Sequence, residues 1–400
     1  MSGRQGTRRT IDARQTASAA LAAIVVLLSF ASACRSAPTR TSHPRSVSVV
    51  LGPYVGDVGP DRFRILWETS EPVPTRLWWG LERDCPTLLE TAEPVKRHDV
   101  LVPGLRPGTV YWYRLEGKDE AGEPIAVRTR TDAPRSIRMA VVGDTHSTGG
   151  VHARIVREIV GEKPDLVLHT GDLSLRPGKR EGNVERDFFR VEGPLLRSVP
   201  IYPVLGNHDG NGFRFVELFV RPHGAGEATY YLVRWGALAL VALDTNESVE
   251  AGSAQGRWLA ETLESLAGDA GVVFRVVAMH WGPFESGSGH GSNLDAREAL
   301  VPLFERYGVD LVFSGHDHVY ERGTVHGVRY VMTGGGGGGR RKPHEVLGDS
   351  WTEASSSAFH HGLVEIDGRE LRFTAREAGR GRILDEFHIV RNPAEGPGPR

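Results

Sequence analysis

Five apolar, β-branched runs each end in a short motif of glycine with aspartate, asparagine or histidine, and that pairing constrains this chain's fold more than any other feature. The runs are residues 137–142, 166–169, 201–205, 272–279 and 311–313. In order, they lead into Gly143-Asp144-Thr145-His146, Gly171-Asp172, Gly206-Asn207-His208-Asp209, Ala278-Met279-His280-Trp281-Gly282-Pro283 and Gly315-His316-Asp317-His318. Runs of this kind read as strands. In an open α/β sheet, ligands bind outside the carboxyl ends of the strands, so the five donor sets converge on one rim. Two carboxylates (Asp144, Asp172), an amide oxygen (Asn207) and four imidazoles (His146, His280, His316, His318) are more donors than one metal ion needs. They suit two ions, and the expectation is a two-metal hydrolytic site.

The rest of the chain frames that site. Four hundred residues exceed one ordinary core, so two domains are expected. A hydrophobic fraction of 40% with 24% charged residues is that of a globular chain. The formal net charge of −2 lacks the basic excess of a general nucleic-acid binder, so no specific nucleic-acid binding is expected. From residue 47 to about 131 the pattern is short alternating strands broken by Gly and Pro, as at 62–68, 75–79 and 110–115. With no helical period, this predicts a small β-sandwich over 47–132. Trp78 and Trp79 within it read either as a binding face or as core. Residues 131–134 mark a boundary, and the second domain runs over 133–391. There, amphipathic helices at 151–160, 184–198, 213–220, 254–266 and 295–307 alternate with the strands, which indicates βαβ units. A hairpin is predicted at 231–234 and 238–243, a strand at 329–332, and a return to β at 362–366, 371–375 and 383–389. Residues 392–400 form a Pro/Gly-rich tail. The six-glycine run 334–339 reads equally as backbone built to approach a ligand closely or as a surface loop.

The amino terminus reads as an export signal over 1–33, followed by a tether over 34–46 rich in Ser, Thr, Pro and Arg. Arg4, Arg8, Arg9 and Arg14 precede an apolar run, 17–30, too short for an ordinary membrane span. Ala31-Ser32-Ala33-Cys34 permits two readings. The small residues suit ordinary signal peptidase, and the cysteine placed after them resembles a bacterial lipobox in which Cys34 is lipidated. The first gives a periplasmic or secreted protein, the second one anchored in the cell envelope. Thr7-Arg8-Arg9 is similar to a twin-arginine signal, although a plain basic segment explains it as well. If Cys34 is acylated, Cys85 has no partner and no disulfide framework exists.

Taken together, the five motifs make residues 137–390 resemble the calcineurin-like metallophosphoesterase superfamily. Residues 310–322, the Tyr330-Val331-Met332-Thr333-Gly334-Gly335 stretch and Gln255-Gly256-Arg257-Trp258-Leu259 are similar to the purple acid phosphatases. Residues 102–113 look like the turn and late strand of a fibronectin type III domain, so the whole layout is similar to that of those phosphatases. The resemblance implies a sandwich followed by an α/β metallophosphoesterase domain of β-sheets flanked by helices. It implies Asp172 bridging two ions, with Asp144, His146 and His318 completing one site and Asn207, His280 and His316 the other. Imidazole with oxygen ligands suits Fe, Zn or Mn. A metal-bridging hydroxide would attack a phosphate monoester, with phosphodiesters, cyclic nucleotides or pyrophosphates as alternatives on the same site. His208 is implied as the proton donor to the leaving oxygen or as a phosphate contact, and Asp209 as the group orienting it. His290 and Arg340, the latter beside Arg341 and Lys342, are candidates for contact with substrate; His290 reads equally as solvated loop, and a basic run such as 340–342 is usually just solvated. His360 and His361 open a strand and read as structural, and His152 has no assigned role. One departure stands out. Asp172 is followed by Leu173, Ser174 and Leu175 rather than by the tyrosine that colours purple acid phosphatases. A rival of another class is a surface-binding lipoprotein whose phosphatase domain is vestigial.

Overall fold

Residues 47–116, 122–131, 136–146, 150–173, 188–210, 212–220, 228–285, 291–340 and 351–392 are described by a computed structural model of the chain. Val47–Arg400 forms one compact unit. The export signal, the tether with Cys34 and the tail beyond 392 lie outside the described residues.

Alternating burial builds the first sheet. Strands β1 (Val49–Val58), β2 (Arg62–Gly80), β3 (Thr87–Pro103), β4 (Val110–Leu115) and β5 (Ile125–Arg128) are antiparallel. β4 shows the period cleanly, with Tyr111, Tyr113 and Leu115 buried and the residues between them half-exposed. The strands expected at 62–68 and 75–79 are one strand, because β3 pairs with β2 along both stretches. The neighbour on the other side changes, from β1 between Phe63 and Thr69 to β4 between Leu77 and Gly80. Between Glu68 and Thr75 the register shifts. Pro72 and Pro74, which have no N–H to give to a ladder, fall in that stretch. Trp79 packs on the core, and the Arg114 guanidinium sits 4.7 Å from the Trp78 ring centroid.

Two more sheets carry the second half. The six-stranded one runs β18-β17-β16-β6-β7-β8. Its strands β6 (Ser136–Val142), β7 (Leu166–His169) and β8 (Ile201–Pro203) are parallel, and β16 (His360–Asp367), β17 (Glu370–Glu377) and β18 (Ile383–Val390) are antiparallel. The seven-stranded one runs β15-β13-β14-β12-β11-β10-β9, from β9 (Tyr231–Trp235), β10 (Leu238–Ala242), β11 (Phe274–Ala278), β12 (Leu311–Ser314), β13 (Tyr320–Val325), β14 (Val328–Thr333) and β15 (Thr352–Ser356). The sheets share a core: Leu238, Leu240, Phe274, Val276, Leu311 and Phe313 pack in one cluster with Met139, Val141, Val167 and Phe373. The intervening residues Ala239, Val241, Val277 and Val312 belong to a second cluster, packed under two helices. Strands buried on both faces must be apolar throughout, which is why these runs were so legible.

Helix α1 (Gly150–Glu162) buries His152, Ile155, Val156 and Ile159, one helical stripe, and α2 covers Arg190–Leu196. The predicted helix 213–220 is a short α3 (Gly212–Phe215) followed by a π-helical turn, Val216–Val220. That turn is held from the first sheet. The Tyr54 hydroxyl donates to Leu218 O at 3.0 Å, Arg97 donates to Glu217 O, and Arg214 pairs with Glu68 at 2.8 Å. The covering helices are α4 (Ala254–Gly268) and α5 (Leu294–Arg306), capped by Ser253 and Asn293 side chains that accept from Gly256 and Ala296 N–H groups. Strands β13 and β15 were not anticipated. Among the described residues, no helix is long and apolar enough to cross a membrane.

Candidate metal centre

The five motifs follow the carboxyl ends of β6, β7, β8, β11 and β12, three from one sheet and two from the other. Asp144, Asp172 and His316 leave their strands with φ of 55°, 55° and 72°. Side chains rarely adopt this left-handed backbone, and it persists where the surroundings over-determine it. The motif glycines let the turns nest. A Cβ on Gly171 would lie 2.6 Å from His280 Nδ1, and one on Gly315 would lie 2.5 Å from Asp144 Oδ2.

The turns bring seven of the expected residues together. Asp144, His146 and His318 form one group able to hold an ion, and Asp144, Asp172 and His280 form another. His146 Nε2 lies 3.6 Å and His280 Nε2 3.4 Å from the Asp172 oxygens, and His318 Nε2 lies 3.6 Å from Asp144 Oδ1. Asn207 Oδ1 sits 2.9 Å from His280 Nε2 and 3.1 Å from His316 Nδ1. Donors bound to one ion at about 2.1 Å are themselves roughly 3.0–3.5 Å apart, close to these separations. Two neighbouring carbonyls set the tautomers. His280 Nδ1 lies 2.8 Å from Thr170 O and His318 Nδ1 lies 2.7 Å from Gly339 O, so each ring turns Nε2 toward the carboxylates.

Electrostatics agree with a cation site. Asp144 and Asp172 are buried; after burial itself, His280 acts most strongly on both, and Asp172 also raises Asp144. Burial raises the Asp144 pKa well above the carboxylate range. For Asp172 burial pushes the same way, but His280 and the His208 backbone N–H hold it below that range. Burial works against charge on His280, yet Asp172 and Asp144 push it up to about 9. Burial takes His146 down to about 4.

His208 is the outer member. Its Nε2 lies 3.9 Å from Asp172 Oδ2, its side chain is 41% exposed, and its backbone N–H donates to Asp172 Oδ1 at 2.9 Å. His208 also groups with His146 and Asp172 as a possible ligand set. The expectation that Asp209 orients the His208 ring needs correcting. Asp209 Oδ2 instead accepts the N–H groups of Asp172 (2.9 Å) and Gly206 (2.8 Å), and His208 Nδ1 has no hydrogen-bond partner. The carboxylate is used in holding two motif loops together.

The contacts of the other candidates that can be described are to neighbouring side chains. Arg340 is exposed, with its guanidinium 5.3 Å from the Phe359 ring centroid. His152 forms a buried 2.7 Å pair with Glu192, and His361 lies 3.2 Å from Glu162. His290, Arg341, Lys342, Ser174 and Leu175 lie outside the described residues. Sequence reasoning passed over His169, which ends β7. It accepts the Gly171 N–H at 3.2 Å and lies 3.0 Å from Thr145 Oγ1, so it joins the first two motif loops. A lone histidine closing an apolar strand was the available signal. Trp281 was also missed: its ring centroid is 5.4 Å from that of His316, and its Nε1–H donates to Gly291 O at 2.8 Å.

This arrangement of facing sheets, with donors on their shared rim, defines a metallophosphoesterase fold. Residues 137–320 match the family model of calcineurin-like phosphoesterases and form a domain of that kind. The relatives make the architecture purple acid phosphatase-like. Purple acid phosphatase 15 of Arabidopsis thaliana is 26% identical over 265 residues, covering 56% of this chain and 49% of that protein. Probable purple acid phosphatase 20 of the same plant is 25% identical over 312 residues, 71% of each chain. In structure, the purple acid phosphatase PPD1 of yellow lupin (Lupinus luteus) seeds aligns with a TM-score of 0.71 at 19% identity, over 86% of this chain and 74% of that one. At that identity the likeness is one of fold.

Proposed function

We propose that this protein is a dinuclear metal-dependent phosphatase acting on phosphate monoesters. The kinship with phosphoesterases and purple acid phosphatases supports a phosphate-ester hydrolase. The observation that carries the finer reading is the rim itself, where two buried carboxylates face imidazole nitrogens at 3.4–3.6 Å. Asp172 has His146 near one oxygen and His280 near the other, which supports a bridging role; in this reading Asp144, His146 and His318 would complete one ion's ligands and Asn207, His280 and His316 the other's.

Two ions of Fe, Zn or Mn would supply Lewis-acid charge for the phosphoryl oxygens and an activated water. The chain's own groups do the rest. Asp172 stays anionic, and with Asp144 it balances half the charge of two divalent ions, so the centre attracts a phosphate dianion. Thr170 O and Gly339 O hold the His280 and His318 rings in register. His208 Nε2, on the exposed side of the centre, is placed to deliver a proton to the departing oxygen.

We read the first sheet as fibronectin type III-like. The two long strands β2 and β3 each serve two strand rows, β1-β2-β3 and β3-β2-β4-β5, which supports a two-layer arrangement. We further propose export to the bacterial envelope with Cys34 as the lipid anchor. Detergent-phase partitioning that survives in Cys34→Ser would rule the anchor out. The function is tested by elemental analysis of purified protein and by turnover of a phosphate-ester panel after separate reconstitution with Zn, Mn and Fe. Two ions per chain and monoester turnover are expected. Bound ions without turnover would favour a vestigial site, and preference for diesters would move the reading to a phosphodiesterase.

A further inference from the structure

The six glycines 334–339 follow β14, and residues 334–338 are buried. Several of their backbone groups are hydrogen-bonded at the centre's edge. Gly336 N–H donates to Gly143 O at 2.9 Å, Gly338 N–H donates to Asp144 O at 2.7 Å, and Gly335 O accepts from His360 N–H at 3.1 Å. The room for side chains is nil along most of the run. A Cβ on Gly334 would lie 2.2 Å from Asp317 O, one on Gly336 2.2 Å from Gly143 O, and one on Gly338 2.5 Å from His318 Cε1 and 2.8 Å from His146 Cε1. Gly339, at the end, would meet nothing within 4 Å.

We propose that residues 334–339 are a positioning strip for the metal centre. Their bare backbone sets the 143–146 loop and the rings of His146 and His318, so that Gly338 governs ion binding at the Asp144, His146 and His318 group. The inference rests on the two-ion reading. Two links carry it. The strip's hydrogen bonds run to the residues that present Asp144, and the Gly339 carbonyl fixes the proton of His318 on Nδ1, leaving Nε2 to face Asp144 Oδ1 at 3.6 Å. A methyl group on Gly338 must push one ring by several tenths of an ångström, whereas ligand distances tolerate only about 0.2 Å. Loss of outer-shell support of this kind typically lowers metal affinity about 10–100-fold.

The test is zinc titration of the full chain, by calorimetry and elemental analysis, for wild type, Gly338→Ala and, as a control, Gly161→Ala in α1, where a Cβ would meet nothing within 4 Å. Wild type and Gly161→Ala should bind two ions alike. Gly338→Ala should keep one ion and bind the other about 10–100-fold more weakly. Two ions at wild-type affinity in Gly338→Ala would overturn the proposal while leaving the two-ion reading standing. A wild type that binds no zinc removes both. Should Gly338→Ala fail to fold, ¹⁵N histidine NMR of the metal-free wild type decides. His318 is expected as the Nδ1–H tautomer, and the Nε2–H tautomer would overturn the strip's role.

Discussion

His360 makes stability acid-sensitive in a way that can be sized. It opens β16, is fully enclosed, and has both ring nitrogens served as a neutral group. Nδ1 lies 2.9 Å from Ala358 O, and Nε2 lies 3.1 Å from Thr333 Oγ1. Burial pushes its pKa down to about 4, against about 6.5 for a histidine in the unfolded chain. Below pH 6.5 the unfolded chain therefore binds a proton that the folded one refuses, and stability falls with pH until the folded ring protonates near pH 4. Integrated, the loss is about 2 kcal/mol at pH 5 and about 3 kcal/mol at pH 4. His169, taken down to about 3 by burial, adds about 2 kcal/mol at pH 5. Together these are a large share of the roughly 5–15 kcal/mol that holds a domain folded. Ligand protonation adds its own slope, so the informative perturbation is His360→Gln, which hydrogen-bonds without titrating. Urea unfolding of both proteins from pH 7 to 4.5, at one fixed zinc concentration, is the assay. The variant should be less stable at pH 7, and the gap should close by about 2 kcal/mol at pH 5. Parallel curves would refute the reasoning.

The remaining predictions concern the centre. On the two-ion reading, Asp172→Ala should lose metal together with activity, because its oxygens lie 3.6 Å from His146 Nε2 and 3.4 Å from His280 Nε2; two ions per chain in the variant would rule out a bridging role. His208→Ala should keep both ions and slow turnover by about 10²–10⁴-fold for alkyl phosphates. The penalty should be smaller for p-nitrophenyl phosphate, whose leaving group departs as an anion, and equal penalties would point to phosphate binding rather than proton donation. Iron-loaded protein should lack an intense tyrosinate absorption band, since Leu173, Ser174 and Leu175 follow Asp172 with no tyrosine among them; a visible band abolished by a tyrosine substitution would show that the ligand set is misread.

The sequence alone determined the parallel strands, because a strand buried on both faces has no choice but to be apolar, as 166–168 and 311–313 are. It also announced Asp144, Asp172, Asn207 and the four histidines, since a motif at a strand's end lands on the rim whatever the loops do. What it left open depended on partners far away in the chain. The 62–68 and 75–79 runs are one strand only because β3 pairs across the Pro-containing irregularity between them. Asp209 carries no mark that its oxygen serves the N–H groups of Asp172 and Gly206 rather than a ring, and Thr170 and Gly339 act through carbonyls that every residue has. The glycine run was the clearest ambiguity. Six residues without side chains are equally the composition of a loose loop and of a surface pressed against its neighbours, and only the packing of residues 143–146, His318 and His360 around them decides which.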